Sequence, residues 1–248
     1  MITPRTLLID ADVPLYRAAF AAEVETDWGD DLWTLHSNMD TAKEVFNQEI
    51  GAIRDAFPTN AAALLCFSGT SNFRKQLLPT YKSNRKKVRK PMLLSKLRAW
   101  AMETYDSDVE HILEADDLLG LLSKQGIMVS IDKDLKTVPG LHYNPDYPDE
   151  GTYHVTTEDA HYTHMMQTLC GDATDGYSGC PGAGPVAAGK ILACPMEAMW
   201  GNVVKAFAKK GISQADALIQ AQVSRILRGD EFDFGTSTLK LWKPHAEI

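Results

Sequence analysis

Short apolar runs, several of them ending in acidic residues, recur along this sequence and constrain its fold more than any other feature. Residues 6–12 read TLLIDAD, residues 61–67 form the longest unbroken apolar run, and residues 127–134 read IMVSIDKD. Runs of this length predict buried strands. A capping box of Thr41 and Glu44, followed by apolar residues at helical spacing, predicts a helix between the first two runs. Strands that alternate with helices indicate an α/β fold with a central, largely parallel sheet flanked by helices.

The acidic residues near the ends of the predicted strands are candidate metal ligands. The carboxyl ends of parallel strands lie at one edge of a sheet, so we expect these acids to converge there. Two unit charges about 4 Å apart repel by roughly 4 kcal/mol at an effective dielectric constant of about 20, so such a cluster needs cations or protons. Oxygen ligands without Cys or His favour Mg²⁺ or Mn²⁺ over zinc, and the number of acids suggests two ions. For each acid alone, a helix cap or a surface charge is the simpler interpretation, so the prediction depends on the whole set. The candidates are Asp10, Glu114, Asp116, Asp117, Asp132, Asp134, Asp172 and Asp175.

Residues 82–90 form a strongly basic segment in an acidic protein. The chain has a net charge of −8, which on its own disfavours nucleic acid as a partner. The segment reads KSNRKKVRK and carries six positive charges and no negative charge. It therefore predicts a local binding site for anions, with a solvated loop as the alternative.

Residues 171–190, GDATDGYSGCPGAGPVAAGK, imitate two nucleotide-binding motifs. The match to a Walker loop is incomplete, because Ile191 stands where a Ser or Thr would hold magnesium. The match to a dinucleotide fingerprint is weak, because no strand precedes the glycines. The remaining interpretation is a tight turn whose backbone N–H groups, leading into a helix with Pro185 in its first turn, hold a phosphate of a DNA strand. A plain turn between two helices is the alternative.

Neither a membrane span nor a secretory signal is expected. The longest apolar run has seven residues, whereas a span needs about 20. The N-terminus lacks a basic stretch followed by a long apolar one. The four cysteines show no CxxC spacing, which argues against disulfides and against a zinc site. We therefore expect a cytoplasmic protein without membrane contact.

With these motifs in order, the sequence resembles the FEN family of 5′-nucleases, and within it the phage 5′→3′ exonucleases. The matching blocks are LLIDAD, NFRKQLLPTYKSNRKKVRKP, LEADD, SIDKDLKTVP and GDATDGYSGCPGAG, which follow the family order and span nearly the whole chain. The resemblance implies a PIN/FEN-like fold with a metal-bearing core in residues 1–150 and a basic helical arch near residues 74–100. It also implies that residues 151–248 form a mainly helical subdomain with a helix–turn–helix element that binds the DNA backbone.

The resemblance implies roles for the acidic and basic candidates. Asp10, Glu114 and Asp116 line one metal site. Lys82 and Arg85 of the YKSNR sequence match the catalytic basic residues of the arch. The remaining acids serve the second metal site or bridge the two sites, and they are Asp117, Asp132, Asp134, Asp172 and Asp175.

The resemblance also implies where DNA is held. The glycine turn matches the element that grips the duplex backbone, where the family often holds a monovalent cation. The glycines concerned are Gly179, Gly182 and Gly184. Further DNA contacts are expected from Arg17, Arg74, Tyr81, Lys86 and Lys87.

One position departs from the family pattern. Other members often carry an aspartate after the second strand of the core, whereas this chain has Ser68 and Gly69 there. An acidic ligand is therefore missing, so we expect the first ion to be held more weakly or through water.

Taken together, these features predict a divalent-metal-dependent 5′→3′ exonuclease or structure-specific 5′-nuclease. Its expected substrates are 5′ ends, nicks and flaps of duplex DNA, with RNA primers on DNA as further substrates. We expect a monomer that acts in the cytoplasm of the host cell if a phage encodes it. The alternatives are a ribonuclease of the PIN type and a DNA-structure binding protein with a weakened site, with a P-loop ATPase as a more distant third.

Overall fold

The computed structural model describes residues 6–58 and 61–244, apart from the side chain of Lys86. The strands are β1 (Thr6–Asp10), β2 (Glu23–Asp27), β3 (Trp33–Ser37), β4 (Ala63–Phe67), β5 (Ser107–Val109), β6 (Gly126–Val129), β7 (Gly140–Tyr143), β8 (Thr152–Val155), β9 (Phe232–Asp233) and β10 (Thr238–Leu239). The helices are α1 (Asp12–Ala21), α2 (Met39–Asp55), α3 (Arg74–Leu77), α4 (Leu94–Thr104), α5 (Ala115–Leu122), α6 (Thr157–Cys170), α7 (Pro185–Ile191), α8 (Met196–Ala208) and α9 (Gln214–Ser224). Short 3₁₀ helices cover Ser83–Lys87, Lys133–Thr137 and Pro148–Glu150.

Six strands form one sheet in the order β5-β4-β1-β6-β7-β8. The strand pairs are parallel except for β7 with β8, which is antiparallel. β1 lies in the middle, and Asp10 at its end is in register with Cys66 of β4. The predicted central, largely parallel sheet is therefore confirmed, and β1 and β6 deliver their carboxyl ends to the same edge.

The two faces of the sheet carry separate apolar cores, because successive side chains of a strand point to opposite sides. Leu7 and Ile9 of β1 pack on one face against residues of α1, α2 and α4, such as Phe46. Leu8 packs on the other face with residues of α5, such as Leu118. Helices thus flank both faces of the sheet, as the alternating pattern of the sequence predicted.

The chain after β8 is mainly helical and has its own apolar core. Met165 and Leu169 of α6 pack with Val203 and Phe207 of α8 and with Ala217 of α9. Helix α6 also contacts the 3₁₀ helix Lys133–Thr137 that follows β6. The helical region is therefore fixed beside the strand ends that carry acids.

The structure corrects one helix start and adds one hairpin. Helix α2 begins at Met39, and the side chain of Asn38 accepts hydrogen bonds from the backbone N–H groups of Asp40 and Thr41. The predicted capping box of Thr41 and Glu44 was wrong, because the chain leaves β3 and enters the helix one turn earlier. Strands β2 and β3 pair as a separate antiparallel hairpin that the sequence pattern did not predict.

Across residues 6–58 and 61–244, none of the helices has the length and apolar character needed to traverse a lipid bilayer.

Candidate metal centre and phosphate-binding surface

The carboxyl ends of β1 and β6 bring acidic residues from distant parts of the chain together. Asp10 ends β1, and Asp132 and Asp134 follow β6. Ser130 connects the two groups, because its hydroxyl donates to Asp10 Oδ2 at 3.1 Å and accepts from the backbone N–H of Asp132 at 3.1 Å. The pairing of β1 with β6 thus fixes these acids at one edge of the sheet.

The N-terminus of α5 adds further acids at this edge. Glu114 is the N-cap residue, and its backbone N–H donates to Asp117 Oδ2 at 3.1 Å. Asp116 lies in the first turn of the same helix. Carboxylates in a first turn are favoured by the helix dipole, so this sequence both starts the helix and places its acids.

The turn after α6 brings a third group of acids from the helical region. The Asp172 carboxylate accepts from the backbone N–H groups of Thr174 and Asp175 at 2.6 and 3.1 Å. The side chain of Gln167 on α6 donates to Asp134 Oδ1 at 2.9 Å and joins this region to the strand-end acids. Members of all three groups line a cavity of about 30 Å³, namely Glu114, Asp116, Asp132, Asp134 and Asp175, whereas Asp10 and Asp172 do not line it.

Burial and crowding raise the pKa values of several of these carboxyl groups. Burial and the neighbouring Asp12 raise the pKa of Asp10 to about 7. Burial and the neighbouring Asp132 raise the pKa of Asp134 to about 6. Burial, followed by the charges of Asp10 and Asp132, raises the pKa of Asp116 well above its usual range. Crowding of buried carboxyl groups therefore favours the binding of a proton or another cation at the site.

The donor set fits a hard divalent cation. The Oδ1 atom of Asp116 is buried and has no hydrogen-bond partner among the described residues. A bound cation would satisfy this oxygen and relieve the repulsion that raises the neighbouring pKa values, and ligands with only oxygen donors suit Mg²⁺ or Mn²⁺. Within the described part of the chain, no three Asp, Glu, His or Cys side chains already surround one point as metal ligands. The acids at the cavity are instead partly paired with basic side chains.

Lys82 and Arg85 lie directly against the acids. Lys82 Nζ is 2.5 Å from Glu114 Oε1 and 3.6 Å from Asp175 Oδ2, and Arg85 Nη2 is 2.6 Å from Asp175 Oδ1. Although burial opposes the shift, Arg74 and Lys82 lower the pKa of Glu114 to about 2. Arg85 is half exposed and borders the site from the solvent side.

The basic segment is anchored to the turn that carries Asp175. The backbone N–H of Lys82 donates to the carbonyl of Asp175 at 2.7 Å, and the Asn84 side chain donates to the carbonyl of Thr174 at 3.1 Å. Within residues 74–100, the range of the predicted arch, the structure has α3, the 3₁₀ helix Ser83–Lys87 and the start of α4. The turn that carries Asp175 therefore fixes the position of the basic segment. Local sequence patterns do not predict this contact, because the two segments are about 90 residues apart.

The glycine turn has one buried and two exposed glycines. Gly179 has φ +62°, its N–H donates to Gln220 Oε1 at 2.9 Å, and a Cβ atom there would lie 2.3 Å from the N atom of Gly171. Gly182 has φ +78° and is exposed, and exposed Gly184 is the N-cap of α7, with Pro185 at its first position. The exposed backbone of this turn is open to a ligand, whereas Gly179 serves the packing of the turn.

A groove of about 450 Å³ runs beside the glycine turn between α7 and α8. Gly182 and the small apolar residues Ala183 and Ala187 line part of it. Its basic residues are Lys190, Lys205, Lys209 and Lys210. A groove with lysines and open backbone N–H groups favours the binding of phosphates.

Comparison with known proteins identifies the family. Residues 5–142 match the family described as 5′-3′ exonuclease, N-terminal resolvase-like domain, which is more than half of the chain. The chain belongs to this 5′-3′ exonuclease family. It is 30% identical to the exonuclease of Escherichia phage T7 over 285 aligned positions, which cover 96% of this chain and 93% of the phage protein. The resemblance to the FEN 5′-nucleases is thereby confirmed.

Solved structures of low sequence identity share the fold of this exonuclease-family chain. The D15 protein of phage T5, co-crystallised with metal ions, superposes with a TM-score of 0.62 at 15% identity and covers 89% of each chain. The catalytic core of Rad2 in complex with DNA substrate superposes with a TM-score of 0.54 at 13% identity, covering 84% of this chain and 65% of that chain. The predicted fold class is confirmed by these superpositions.

Asp117 and Arg74 have structural roles in this family member, and their predicted site roles are corrected. Asp117 is fully buried, and its two oxygens accept from Arg74 at 2.7 Å each and from the backbone N–H groups of Leu227 and Glu114. The remaining N–H groups of Arg74 donate to Glu114 and to the carbonyls of Val223 and Arg225. All five guanidinium N–H groups are thus used internally, so Arg74 has none for a phosphate, and Asp117 has no free oxygen for a metal ion.

The predicted DNA contacts of Tyr81 and Gly179 are corrected as well, because the polar groups of both residues are hydrogen-bonded inside the protein. Tyr81 is buried, and its hydroxyl donates to Glu114 Oε2 at 2.8 Å and lies 3.3 Å from Asp175 Oδ2. It therefore orients the acids and does not present a surface to DNA. The N–H of Gly179 is likewise used inside the protein, so it is not available to a phosphate.

The other predicted DNA contacts are Arg17, Lys86 and Lys87. Arg17 on α1 is half exposed and pairs with Asp146 at 2.9 Å and with Glu49 at 3.4 Å. Lys87 is exposed at the end of the 3₁₀ helix, and the side chain of Lys86 lies outside the described part of the structure. Their contacts to DNA remain predictions.

We expect the buried Arg74–Asp117 pair to be essential for stability. Replacing Arg74 by alanine leaves a fully buried carboxylate without its partner, which costs about 3 to 5 kcal/mol of unfolding free energy. Urea denaturation measures this loss. The control is Arg17→Ala, because its exposed pair with Asp146 contributes at most about 1 kcal/mol. Equal effects of the two substitutions would contradict the assignment.

Proposed function

We propose that this protein is a divalent-metal-dependent 5′→3′ exodeoxyribonuclease that hydrolyses phosphodiesters near the 5′ ends of duplex DNA. The observation that carries the proposal is the meeting of acids from α5, the end of β6 and the turn after α6 at one cavity, with Lys82 and Arg85 beside them. Asp10 of β1 joins the β6 group through Ser130. The related D15 structure contains metal ions and the related Rad2 structure contains DNA substrate, which supports both parts of the proposal.

Several of the gathered acids would hold two Mg²⁺ or Mn²⁺ ions. Asp10, Glu114 and Asp116 would serve the first ion. The second would be served by Asp132, Asp134, Asp172 and Asp175. When bound, such ions make a water molecule more acidic and stabilise the leaving oxygen of a phosphodiester.

Lys82 and Arg85 would act on the scissile phosphate. Both side chains contact carboxylates in this structure, and a phosphate that enters the site competes for the same N–H groups. There they would offset the negative charge that develops on the phosphoryl oxygens during in-line attack. Basic side chains that contact phosphates do not read the bases, so we expect specificity for DNA structure rather than for sequence.

The glycine turn and the lysine groove would hold the duplex away from the cut. The exposed backbone of Gly182 and Gly184 and the lysines of the groove offer groups for the DNA backbone. The predicted monovalent cation would belong to this turn. Such a grip sets a fixed distance from the duplex contact to the scissile bond, which suits 5′ ends, nicks and flaps. One chain carries all of these groups, so we propose a monomer that acts on DNA in the host cytoplasm.

The proposal is tested by offering matched duplexes whose labelled 5′ strand is either DNA or RNA. We expect magnesium-dependent release of short products from the DNA 5′ end, with RNA on DNA cut as a further substrate. Faster cutting of RNA alone would favour the PIN-type ribonuclease. Binding in EDTA without cleavage in Mg²⁺ or Mn²⁺ would favour a DNA-binding protein with a weakened site, an alternative motivated by Ser68 and Gly69.

The metal-free protein should lose stability as the pH rises from about 4 to about 7. The pKa values of Asp10 and Asp134 rise from 3.8 to about 7 and about 6 on folding, so the folded state is favoured while these groups hold protons. Glu114 acts in the opposite direction and only below pH 4.5, because its pKa is lowered to about 2. Melting curves in EDTA at several pH values measure the effect.

Magnesium should restore the stability lost at pH 7. An ion at 100 times its dissociation constant stabilises the folded state by about 2.7 kcal/mol, or roughly 5 to 10 °C in Tm. The Asp146→Asn variant serves as a control that keeps the full response, because Asp146 pairs with Arg17 outside the cavity. A Tm in EDTA that stays constant from pH 4 to 7 would contradict the crowded acid site.

Replacing Lys205 and Lys209 by alanine should weaken the binding of duplex DNA by the same factor whatever its base sequence. Each phosphate contact contributes about 0.9 to the slope of log K against log salt concentration, so the double substitution should reduce the slope by roughly 2. Fluorescence anisotropy in Ca²⁺ at several salt concentrations measures it. Lys124→Ala is the control, because this exposed lysine follows α5 and does not line the groove. An unchanged salt slope in the double variant would remove the groove from the DNA-binding surface.

A further inference from the structure

Lys82 has a backbone conformation that residues with a side chain rarely adopt. Its φ is 50° and its ψ is 24°, which lie in the left-handed region. A residue with a Cβ atom is strained in this region, so it keeps the conformation only where surrounding contacts hold it. From this backbone, the ammonium group of Lys82 reaches Glu114 and Asp175. Whatever holds the backbone of Lys82 therefore also directs its side chain toward the acids.

The turn after α6 holds this backbone through consecutive carbonyl groups. The N–H of Lys82 donates to the carbonyl of Asp175 at 2.7 Å. Two residues earlier, the hydroxyl of Thr80 donates to the carbonyl of Gly176 at 3.0 Å. Because these contacts flank the left-handed residue, the turn fixes the chain direction on both sides of the strained position.

Gly176 makes this close contact possible because it has no side chain. Its φ is +76°, and a Cβ atom there would lie 2.5 Å from the carbonyl oxygen of Thr80 and 3.4 Å from the N atom of Lys82. The first distance is far below van der Waals contact, so any other residue at this position would move the two backbones apart. The next residues along the two segments, Tyr81 and Tyr177, are buried in one apolar cluster, so the segments also pack through their side chains.

We infer that Gly176 is a positioning residue for Lys82. Its missing Cβ atom lets the turn approach the backbone of Thr80, and the turn then fixes Lys82 in the left-handed conformation that places its ammonium group beside the acids. Gly176 does not line the acid cavity, so it acts through Lys82. This inference rests on the proposed function, in which Lys82 acts on the scissile phosphate.

Cleavage of a 5′-labelled nicked duplex by Gly176→Ala, alone and combined with Lys82→Ala, tests the inference. We expect Gly176→Ala to lower kcat about 10- to 100-fold with little change in KM, because a displacement of about 1 Å from the productive position has an effect of this size. The double variant should match the kcat of Lys82→Ala within about twofold, since a residue that acts only through Lys82 has no further effect once Lys82 is removed. Gly29→Ala is the matched control and should keep the wild-type kcat, because Gly29 has φ +82° but open space around its Cβ position.

Loss of kcat by the same factor with and without Lys82 would overturn the inference, because Gly176 would then act on Asp175 or on overall stability. Wild-type kcat in a folded Gly176→Ala variant, or an equal loss in Gly29→Ala, would overturn it as well. These results would leave the proposed function intact. Absence of cleavage by the wild type in Mg²⁺, or wild-type kcat in Lys82→Ala, would instead overturn the proposed function on which the inference rests.

Thr80 offers a second test that does not depend on the folding of Gly176→Ala. Thr80 is exposed, and valine has nearly the same shape but lacks the hydroxyl that donates to the carbonyl of Gly176. Thr80→Val should lower kcat roughly two- to tenfold, and this loss should disappear when Lys82 is also replaced by alanine. Thr80→Ser keeps the hydroxyl and should retain the wild-type kcat. Wild-type kcat in Thr80→Val, an equal loss in Thr80→Ser, or a loss that persists without Lys82 would overturn the inference.

Discussion

Replacing Asp134 by asparagine is expected to lower kcat about a thousandfold in Mg²⁺. The Asp134 carboxylate lines the acid cavity, and burial with the nearby charge of Asp132 raises its pKa to about 6. Its negative charge therefore contributes directly to the affinity of the site for a dication. Loss of a charged ligand removes several kcal/mol of the stabilisation that a metal ion gives to the transition state, and about 4 kcal/mol corresponds to a thousandfold.

The asparagine substitution is suited to this test because it preserves local structure. An amide oxygen at position 134 can still accept from the Gln167 side chain, which now donates to Asp134 Oδ1. Asp146→Asn is the matched control, since it removes an exposed acid that pairs with Arg17 and should leave kcat unchanged. Single-turnover cleavage of a 5′-labelled nicked duplex measures both variants. Wild-type turnover by Asp134→Asn in Mg²⁺ would refute the metal mechanism.

Replacing Lys82 by alanine is expected to lower kcat by roughly a hundredfold to a thousandfold with little change in KM. Removal of one preorganised donor that stabilises developing charge has an effect of about this size. Lys82 is held in place by Glu114, Asp175 and the backbone of the glycine-containing turn, so its position is fixed before substrate binds. An interaction made mainly in the transition state affects kcat rather than KM.

Lys87→Ala is the control for Lys82→Ala within the same basic segment. Lys87 is exposed, so its removal should raise KM for DNA with little effect on kcat. Because Lys82 also pairs with Glu114, the alanine variant should bind Mn²⁺ at least as tightly as the wild type does in the absence of DNA. A change confined to KM in Lys82→Ala would assign this residue to substrate binding and remove its catalytic role.

The sequence predicts the architecture well because the relevant signals are local. The apolar runs of β1, β4 and β6 are recognisable, and acids stand within a few residues of the ends of β1 and β6. The rule that parallel strands end at one edge of a sheet then predicts that Asp10 and Asp134 come to the same edge, and the structure shows that β1 pairs with β6. At the start of α2, where the local rule failed, the predicted N-cap residue Thr41 lies three residues after the observed one, Asn38.

The roles of individual side chains were harder to predict because they depend on distant partners. Arg74 and Asp117 are 43 residues apart, and the carbonyls that complete the Arg74 site are about 150 residues away. No local pattern separates a buried arginine of this kind from one that contacts phosphate. Asp117 lies in an acidic run whose other members face the cavity, so only its fourfold hydrogen bonding distinguishes it.

The lysine groove was missed although it left a weak signal. Lys205 and Lys209 are four residues apart near the end of α8, a spacing that places both on one side of a helix. The contribution of Lys190 comes from α7 and depends on how the two helices pack. The hairpin of β2 and β3 gave no comparable signal, because the residues of β2, EVETD, are mostly polar and none of them is fully buried.

The most direct test of the two-metal site is a crystal of the wild-type protein soaked in Mn²⁺ and measured at a wavelength that reveals manganese. We expect two anomalous peaks at the acid site, one beside Asp10 and Asp116 and the other beside Asp134 and Asp175, with Asp117 still bound to Arg74. Acids that stay apart with no manganese peak among them would contradict it.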